Sequence, residues 1–411
     1  MNIILQKTLV NKKSAIQITG SKSESNRLLL LQALYPEIKI ENVSNSDDSQ
    51  LMTKALASSE KIIDIHHAGT AMRFLTAYFA MQNNRETIIT GSKRMKERPI
   101  KILVDALNQL GADIVYKENE GFPPLFIKGK QLTKNKVSLD ANVSSQYISA
   151  LLLIASKLEN GIELTLNGKI TSVPYINMTL SLLNEIGVKT KFEGNIITVN
   201  SINQKPPTKN QLTVESDWSS ASYFYSIVAL AQVGTSIKIS SYKKDSLQGD
   251  SALALIYKSF GVETTFKENT VLIEKIAEVN LSASIDFDLA NSPDIAQTIA
   301  VTAFALGLES NLTGLHTLKI KETDRLEALK TEIEKLGGNV EITNESLHLK
   351  ISKNIKENIT ITTYKDHRMA MAFAPLALKV PLEIEDYMVV SKSYPTFWDD
   401  LKQLGFKFNI K

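Results

Sequence analysis

One short pattern recurs five times along this 411-residue chain and constrains its fold more than any other feature. In each copy a helical stretch ends at a glycine, and an alternating, strand-like stretch follows. The copies are LNQLGADIVY (107–116), LNEIGVKTKF (183–192), YKSFGVETTF (257–266), EKLGGNVEI (334–342) and LKQLGFKFNI (401–410). Glycine just past the last turn is the usual left-handed end of a helix. The five glycines are residues 111, 187, 261, 337 and 405, separated by 76, 74, 76 and 68 residues.

This near-constant spacing indicates repeated structural units rather than unrelated helix ends, and each repeat has room for about two helices and several strands. A sixth, less regular copy is expected before residue 66, around QLMTKALASSEKIIDI. A chain of this length suggests about two or three domains. The sequence therefore predicts an α/β protein of six repeated units grouped into two lobes.

Composition excludes several kinds of protein and site. The 47 basic and 44 acidic residues leave a net charge of only +3, so any anion site must be local rather than a general nucleic-acid or membrane surface. The absence of cysteine excludes disulfides, thiolate metal ligands and cysteine nucleophiles. No apolar stretch reaches the roughly 18 residues of a membrane span, and the N-terminus lacks a signal-peptide pattern. We expect a cytoplasmic protein.

Arginine is rare in this chain, which uses lysine for 40 of its 47 basic residues. A guanidinium can hold a carboxylate or phosphate through two parallel hydrogen bonds, which an ammonium cannot do. The seven arginines are residues 27, 73, 85, 94, 98, 325 and 368. All except Arg85 lie in or near conspicuous polar motifs, although by number alone ordinary surface arginines are an equally good interpretation.

Polar motifs stand repeatedly where a helix is expected to begin. They include GSKSESNR (20–27), HHAGTAMRF (66–74), KRMKERPI (93–100), SSQYISALLLIAS (144–156), ANSPDIAQTIA (290–300), KETDRLEAL (321–329), DHRMAMAFA (366–374) and SKSYPTFWDDL (391–401). Helix N-termini attract anions through their free N–H groups and dipole. Each motif alone fits ordinary helix capping or a solvated basic loop about equally well. Together they predict a positively charged cleft for a small substrate with several negative charges, and no metal.

Nine segments in a fixed order give this pattern a specific resemblance. The segments are GSKSESNR, AGTAMR, MKERPI, SSQY, PYINMT, SPDIAQT, KETDR, DHRMAM and SKSYP, and they extend from residue 20 to residue 395. This order resembles that of the 5-enolpyruvylshikimate-3-phosphate synthase family. The resemblance implies a two-lobed inside-out α/β barrel with three α/β units in each lobe. It also implies an N-terminal lobe at 21–216, a C-terminal lobe formed by 1–20 plus 217–411, and an active site in the interlobe cleft that closes on substrate.

The resemblance further implies the reaction. The carboxyvinyl group of phosphoenolpyruvate passes to the 5-hydroxyl of shikimate 3-phosphate, and inorganic phosphate leaves, by addition and elimination through a tetrahedral intermediate. This step belongs to the shikimate pathway, which leads to chorismate and the aromatic amino acids. Neither a cofactor nor a metal is expected, the partners are the two small substrates, and we expect a monomer.

The same resemblance assigns residues to the two substrates. Shikimate 3-phosphate is expected to contact Lys22, Ser23, Arg27, Ser144, Ser145, Gln146, Ser172, Tyr175, Asp294 and Lys321. Phosphoenolpyruvate is expected to contact Lys22, Gly69, Thr70, Arg98, Gln146, Arg325, Arg368 and Lys392.

The family's chemistry implies a catalytic set drawn from these positions. Asp294 resembles the carboxylate that binds and deprotonates the shikimate hydroxyl, and Glu322 resembles the acid that transfers a proton. Lys22 and His367 complete the set, while Arg73 is expected to be structural, behind the glycine turn.

Two positions depart from the family's pattern. His67 stands before Ala-Gly-Thr where asparagine is frequent, and Thr317 stands where some relatives have an asparagine that contacts the shikimate phosphate. Both changes bear on affinity for substrates or inhibitors, and neither removes a group that the chemistry needs.

Two other functions fit parts of the pattern. The enolpyruvyl transferase that acts on a UDP-amino sugar shares the fold, but it usually carries a loop cysteine, and this chain has none. An RNA-binding protein built from similar α/β units would show a broad basic face with interleaved aromatic residues. The basic residues of this chain lie instead in short segments.

Overall fold

Short strands alternate with helices along the chain in the computed structural model, which describes residues 1–141, 144–202, 207–280, 284–352 and 354–411. The strands are β1 (Ile3–Leu5), β2 (Lys13–Ile16), β3 (Lys39–Glu41), β4 (Ile62–Asp64), β5 (Glu86–Thr90), β6 (Ile114–Tyr116), β7 (Leu125–Lys128), β8 (Lys136–Asp140), β9 (Ile162–Asn167), β10 (Thr190–Glu193), β11 (Ile196–Val199), β12 (Gln211–Thr213), β13 (Ser236–Ser240), β14 (Val262–Lys267), β15 (Thr270–Lys275), β16 (Ile285–Asp288), β17 (Ser310–Thr313), β18 (Val340–Ile342), β19 (Leu347–Leu349), β20 (Ile359–Ile361), β21 (Leu382–Ile384) and β22 (Phe408–Ile410).

Single α-helices separate runs of one to three strands. They are α1 (Lys22–Leu34), α2 (Asp47–Ala57), α3 (Gly69–Ala80), α4 (Lys101–Gln109), α5 (Ser145–Ala155), α6 (Val173–Glu185), α7 (Trp218–Leu230), α8 (Leu253–Ile256), α9 (Ala296–Leu306), α10 (Arg325–Lys335), α11 (His367–Phe373) and α12 (Phe397–Gln403). Within the described ranges, no helix combines the length and the apolar character that crossing a membrane requires.

The chain forms two compact units. One is continuous and comprises Gly20–Val214, whereas the other joins Met1–Thr19 to Glu215–Lys411. We call them the inserted unit and the discontinuous unit. Each has its own hydrophobic core of buried residues.

Five four-stranded sheets of the described chain share one topology. Two parallel strands are joined by a crossover helix, and an antiparallel hairpin follows, whose second strand pairs with the second parallel strand. The inserted unit has β4-β5-β7-β6 and β8-β9-β11-β10, and the discontinuous unit has β2-β13-β15-β14, β16-β17-β19-β18 and β20-β21-β1-β22. Parallel strands require a long crossover, which explains why a helix follows the first strand. The inserted unit is simply placed between β2 and its crossover helix α7.

The last module completes this topology with a strand from the other end of the chain, and the first module is incomplete. In the last one β1 lies between β21 and β22, so that Ile3 pairs with both Ile384 and Ile410 and the two chain ends share a sheet. In the first one the described residues form only the parallel pair β3 and β12. The predicted six α/β units, three in each lobe, are confirmed, with one of them reduced.

The five cap glycines behave as predicted. Their φ angles are +101°, +94°, +73°, +97° and +103° in chain order, and each leads into the third strand of its module. The expected sixth copy is different, because α2 ends at Ala57, Ser58 follows in extended conformation, and β4 then begins the next sheet. A reduced module without this hairpin has no need for the left-handed turn.

Crossover helices form the interior of each unit. Every residue of α3, α7 and α11 is buried, and a helix that is buried all round must be surrounded by other elements. Helices α1, α3 and α5 contact one another in the inserted unit, as do α7, α9 and α11 in the discontinuous unit. The strands instead alternate between buried and exposed residues, as in β8, which is typical of a sheet with one solvated face.

A matched pair of glycine substitutions tests the role of the cap glycines. A Cβ at Gly261 would lie 2.1 Å from the Ala277 carbonyl oxygen, whereas at Gly234, also left-handed, it would meet no atom within 4 Å. We expect Gly234→Ala to lower the free energy of unfolding by about 1–2 kcal/mol through backbone strain alone. Gly261→Ala should cost about 1–3 kcal/mol more through the added clash. Equal losses in urea unfolding would contradict this account.

Candidate active site

Arg325, in the first turn of α10, is the centre of a charged cluster in the discontinuous unit. Its side chain is almost fully buried and contacts three carboxylates. Nε donates to Asp366 Oδ2 at 2.7 Å, Nη1 to Asp294 Oδ1 at 2.8 Å and Nη2 to Glu322 Oε2 at 2.8 Å. One guanidinium therefore joins the segments that precede α9, α10 and α11.

The ionisation states in this cluster follow from burial and neighbouring charge. Burial by itself would lower the pKa of Arg325, but Asp366, Glu322 and Asp294 together raise it above its ordinary value. Burial would raise the pKa of Asp294, but Lys321, Arg368 and Arg325 outweigh it and hold that pKa below its usual range. Asp294 is therefore an anion and a weak base in this arrangement.

Arg368, in the first turn of α11, is the second buried guanidinium. Its Nη2 donates to Ser219 Oγ at 3.2 Å and lies 3.5 Å from Asp294 Oδ2. The Lys321 ammonium also lies 3.4 Å from Asp294 Oδ1. Three cations thus surround one carboxylate. An incoming anion can form ion pairs with the same cations and so replace part of their contact with Asp294.

The backbone ahead of α11 is strained where it directs these side chains. Tyr364 and Lys365 have φ angles of +54° and +57°, a left-handed conformation that non-glycine residues rarely adopt. Asp366 then caps the helix by accepting the Arg368 N–H at 2.9 Å. His367 is buried with Nδ1 3.8 Å from Asp366 Oδ1. Lys392 donates to the Lys365 carbonyl at 2.6 Å, which places it beside the same turn.

In the inserted unit, the start of α1 holds the first predicted motif. Lys22 Nζ lies 3.6 Å from Asp48 Oδ2, and Ser23 is half-buried in the first turn. Arg27 is buried, and burial lowers its pKa to about 10. Its side chain donates to hydroxyls of α5 and α6 and to two carbonyls, namely Ser149 Oγ, Thr179 Oγ1, Ser23 O and Tyr175 O. Arg27 therefore links helix starts within the protein in this structure.

The glycine-threonine turn at the start of α3 lies beside two other predicted residues. Gln146 Nε2 donates to Thr70 Oγ1 at 3.3 Å. The Arg98 guanidinium covers Gly69 so closely that a Cβ there would lie 2.5 Å from Nη1. The buried Nε of Arg98 has no hydrogen-bond partner among the described residues.

Arg73 supports this turn from behind. It donates to the Gly69 carbonyl at 3.0 Å and to the Pro99 carbonyl at 3.2 Å, and it lies over the Tyr147 ring. Arg73 thus holds two segments next to Arg98, namely the turn at Gly69 and the backbone at Pro99. A structural role of this kind is the one expected for Arg73.

The remaining predicted residues lie at the starts of α5 and α6. The Ser144 hydroxyl caps α5 by accepting the Gln146 N–H at 3.3 Å, and Ser145 is buried in the first turn. Ser172 precedes α6 with φ +54° and makes no side-chain cap hydrogen bond. Strain at a polar residue of this kind is frequent at functional sites. The Tyr175 carbonyl accepts from Arg27, as described above.

The structure thus groups the predicted residues unit by unit at helix starts. Beside them lie Ser219 and Asp250, which no motif contains, and Ser149 and Thr179, which lie inside motifs but were given no role. Of the two departures, His67 lies 4.0 Å from Asp47, and the buried Thr317 hydroxyl has no hydrogen-bond partner in the described chain. Trp218, the first residue of α7, is buried and donates to Glu215 Oε1 at 2.8 Å.

Comparisons with known proteins point in one direction. The chain matches the family model described as EPSP synthase (3-phosphoshikimate 1-carboxyvinyltransferase) over residues 56–401. It is 46% identical over 404 residues to a Bacteroides fragilis protein named 3-phosphoshikimate 1-carboxyvinyltransferase, with 97% of each chain covered. A Haemophilus influenzae protein of the same name is 38% identical over 423 residues, covering 95% of this chain and 96% of that protein.

The fold comparison agrees with the sequence comparison. A solved structure of EPSP synthase from Acinetobacter baumannii superposes with a TM-score of 0.79 at 19% identity and covers 100% of both chains. At that identity the likeness concerns the fold alone. The family match and the extended identity to the two bacterial relatives decide the family, and the chain belongs to the EPSP synthase (3-phosphoshikimate 1-carboxyvinyltransferase) family.

Proposed function

We propose that this chain transfers the carboxyvinyl group of phosphoenolpyruvate to the 5-hydroxyl of shikimate 3-phosphate and releases inorganic phosphate. The observation that carries the proposal is the cluster of Asp294, Lys321, Glu322, Arg325 and Arg368. It combines two carboxylates, which acid–base chemistry requires, with three cations that can hold anionic substrates.

The charges of the substrates explain the number of buried cations. Phosphoenolpyruvate carries a phosphate and a carboxylate, and we assign them to Lys22, Arg98, Arg325, Arg368 and Lys392. Gly69, Thr70 and Gln146 complete that assignment, because glycine lets a backbone approach an anion closely. Among the residues of the inserted unit, Arg98 is the best-supported ligand for phosphoenolpyruvate, since its Nε has no hydrogen-bond partner in the described chain.

Shikimate 3-phosphate offers a second phosphate, a second carboxylate and hydroxyls. We assign it to the hydroxyl-rich helix starts of the inserted unit together with Asp294 and Lys321. The assigned residues of that unit are Lys22, Ser23, Arg27, Ser144, Ser145, Gln146, Ser172 and Tyr175. Arg27 contributes by holding Ser23 and Tyr175, because the hydrogen bonds described above engage its side chain within the protein.

Binding of phosphoenolpyruvate should change the basicity of Asp294. Lys321, Arg368 and Arg325 hold its pKa below the usual range in this structure. A substrate anion that neutralises Arg325 and Arg368 removes part of that field, so the pKa of Asp294 rises toward that of a useful base. Asp294 then accepts the proton of the 5-hydroxyl while the hydroxyl oxygen attacks the vinyl carbon of phosphoenolpyruvate.

The other acid–base residues act at the vinyl group and the leaving phosphate. Glu322 gives a proton to the methylene carbon in the addition step and takes one back in the elimination step. Lys22 and the buried cations stabilise the phosphate as it leaves, and His367 supports the set from the start of α11.

The alternative acceptor, a UDP-amino sugar, is not favoured. The Bacteroides and Haemophilus relatives both carry the name 3-phosphoshikimate 1-carboxyvinyltransferase. The chain also has no cysteine that could act as the acid of the alternative enzyme.

Phosphate release tests the proposed reaction. Purified protein is incubated with phosphoenolpyruvate, with and without shikimate 3-phosphate, in buffer treated with chelator. We expect release only when both substrates are present, unchanged by the chelator. Release that requires a UDP-amino sugar instead, or none from folded protein, would contradict the proposal.

Gly69→Ala tests the contact between Arg98 and the glycine turn. The new Cβ would lie 2.5 Å from Arg98 Nη1 and must displace the guanidinium. We expect KM for phosphoenolpyruvate to rise about tenfold or more, the loss typical of a charged hydrogen bond, with a much smaller change for shikimate 3-phosphate. Arg98→Ala should give a similar loss, and the double variant should add little. An unchanged KM for phosphoenolpyruvate in Gly69→Ala would reject the assignment.

Glu322→Gln tests the proton transfer. Glutamine keeps an oxygen that can accept from Arg325 but cannot exchange a proton, so we expect kcat to fall about 100-fold or more with little change in either KM. Glu327→Gln, at an exposed position of the nearby helix α10, is the matched control and should retain normal turnover. Comparable kcat values in the two variants would rule out the acid–base role of Glu322.

A further inference from the structure

Arg368 has two partners of different character. On one side Asp294 Oδ2 lies 3.5 Å from Nη2, and on the other Nη2 donates to Ser219 Oγ at 3.2 Å. The carboxylate belongs to the proposed reaction, whereas Ser219 stands in the first turn of α7 and no step of the reaction uses it. The Ser219 contact can therefore persist when a substrate anion replaces Asp294.

Behind Ser219 lies a carboxylate that the mechanism leaves unexplained. The Ser219 hydroxyl donates to Asp250 Oδ2. A hydroxyl has one hydrogen, so while it donates to Asp250 its lone pairs can only accept, and they accept from Arg368. The contacts run in one direction, from Arg368 through Ser219 to Asp250.

Asp250 is an expensive residue to bury at this position. Only 1% of its surface is exposed, and its Oδ1 has no hydrogen-bond partner in the part of the chain that the structure describes. Burial and the nearby charge of Asp294 raise the pKa of Asp250, while Arg368 and the Ser219 hydrogen bond oppose that rise. A buried carboxylate with an unsatisfied oxygen calls for a compensating partner, and Arg368 is the cation that reaches it through Ser219.

The segment that carries Asp250 is firmly anchored to the start of α7. Gln248 donates to the Ser216 carbonyl at 2.9 Å and accepts the Trp218 N–H at 2.9 Å. Asp250 then falls in a short 3-10 helix at Gly249–Ala252. This anchoring fixes the carboxylate relative to Ser219, so the pair can act as a rigid support for Arg368.

We propose that Asp250, acting through Ser219, is a positioning residue that keeps the Arg368 guanidinium in place when phosphoenolpyruvate displaces Asp294 from it. The proposal rests on the proposed function, in which Arg368 binds phosphoenolpyruvate. Without this support, Arg368 depends on Asp294 for its position. When phosphoenolpyruvate displaces Asp294, the guanidinium then loses the contact that positioned it. Affinity for phosphoenolpyruvate should then fall, while contacts to shikimate 3-phosphate stay intact.

Steady-state kinetics of three variants test this role: Asp250→Asn, Ser219→Ala and the double variant. We expect each single change to raise KM for phosphoenolpyruvate about tenfold, which is the loss of one hydrogen bond to a charged group, and to leave KM for shikimate 3-phosphate within about twofold. The double variant should match the single variants, because both remove the same support. Asp245→Asn, an exposed carboxylate five residues away, is the matched control and should change neither KM.

Several results would overturn the proposal. An unchanged KM for phosphoenolpyruvate in Asp250→Asn, or additive losses in the double variant, would show that Asp250 does not act through Ser219. Equal rises in both KM values together with a lower melting temperature would indicate a purely structural residue.

Arg368→Lys separates this inference from the proposed function. If it leaves KM for phosphoenolpyruvate unchanged, the assignment of Arg368 itself is wrong, whereas a loss in Arg368→Lys without one in Asp250→Asn rejects only the role of Asp250.

Discussion

The buried guanidinium of Arg325 is the interaction on which the proposed site of the discontinuous unit depends. Removing a guanidinium from water is costly unless charged partners replace the water, and Arg325 has Asp294, Glu322 and Asp366 within hydrogen-bond distance. Because these carboxylates precede α9, α10 and α11, their shared partner fixes three helix starts relative to one another. Loss of Arg325 would leave three acids close together without their common cation.

The repeated topology explains why polar chemistry gathers at these positions. Each module buries its crossover helix, so the apolar body of the helix packs inside while its N-terminal turn carries the polar residues. The two units use this geometry differently. The discontinuous unit combines carboxylates with Arg325 and Arg368, whereas in the inserted unit the buried Arg27 donates to hydroxyls and the buried Arg73 to backbone carbonyls.

The sequence predicted the helix ends of this protein better than its strand partners, and the reasons are physical. The helix ends at the five cap glycines were predictable because a left-handed turn strongly favours glycine, and regular spacing then revealed the repeats. The place of β1 beside β21 and β22 was not, since nothing local in a three-residue strand specifies the partners of Ile3, which lie 381 and 407 residues away. The motifs located Asp294, Glu322, Arg325 and Arg368 in sequence.

The motifs could not show which side chains would share a partner. Asp250 lies 31 residues from Ser219 in an unremarkable stretch, and only tertiary packing brings the two together. Arg27 illustrates the same point, because its motif indicated a phosphate ligand but could not show that Ser149 and Thr179 would accept from its side chain.

In the proposed reaction, substrate anions pair with Arg325 and Arg368 in place of Asp294, and this makes Asp294 a better base. The most direct test is a 13C NMR titration of the Asp294 carboxyl in the slowly turning Glu322→Gln protein, with the resonance assigned by loss in Asp294→Asn. We expect the pKa to lie below the usual aspartate value without ligands and to rise when phosphoenolpyruvate and shikimate 3-phosphate are both bound. A pKa that stays the same or falls on binding would contradict the account.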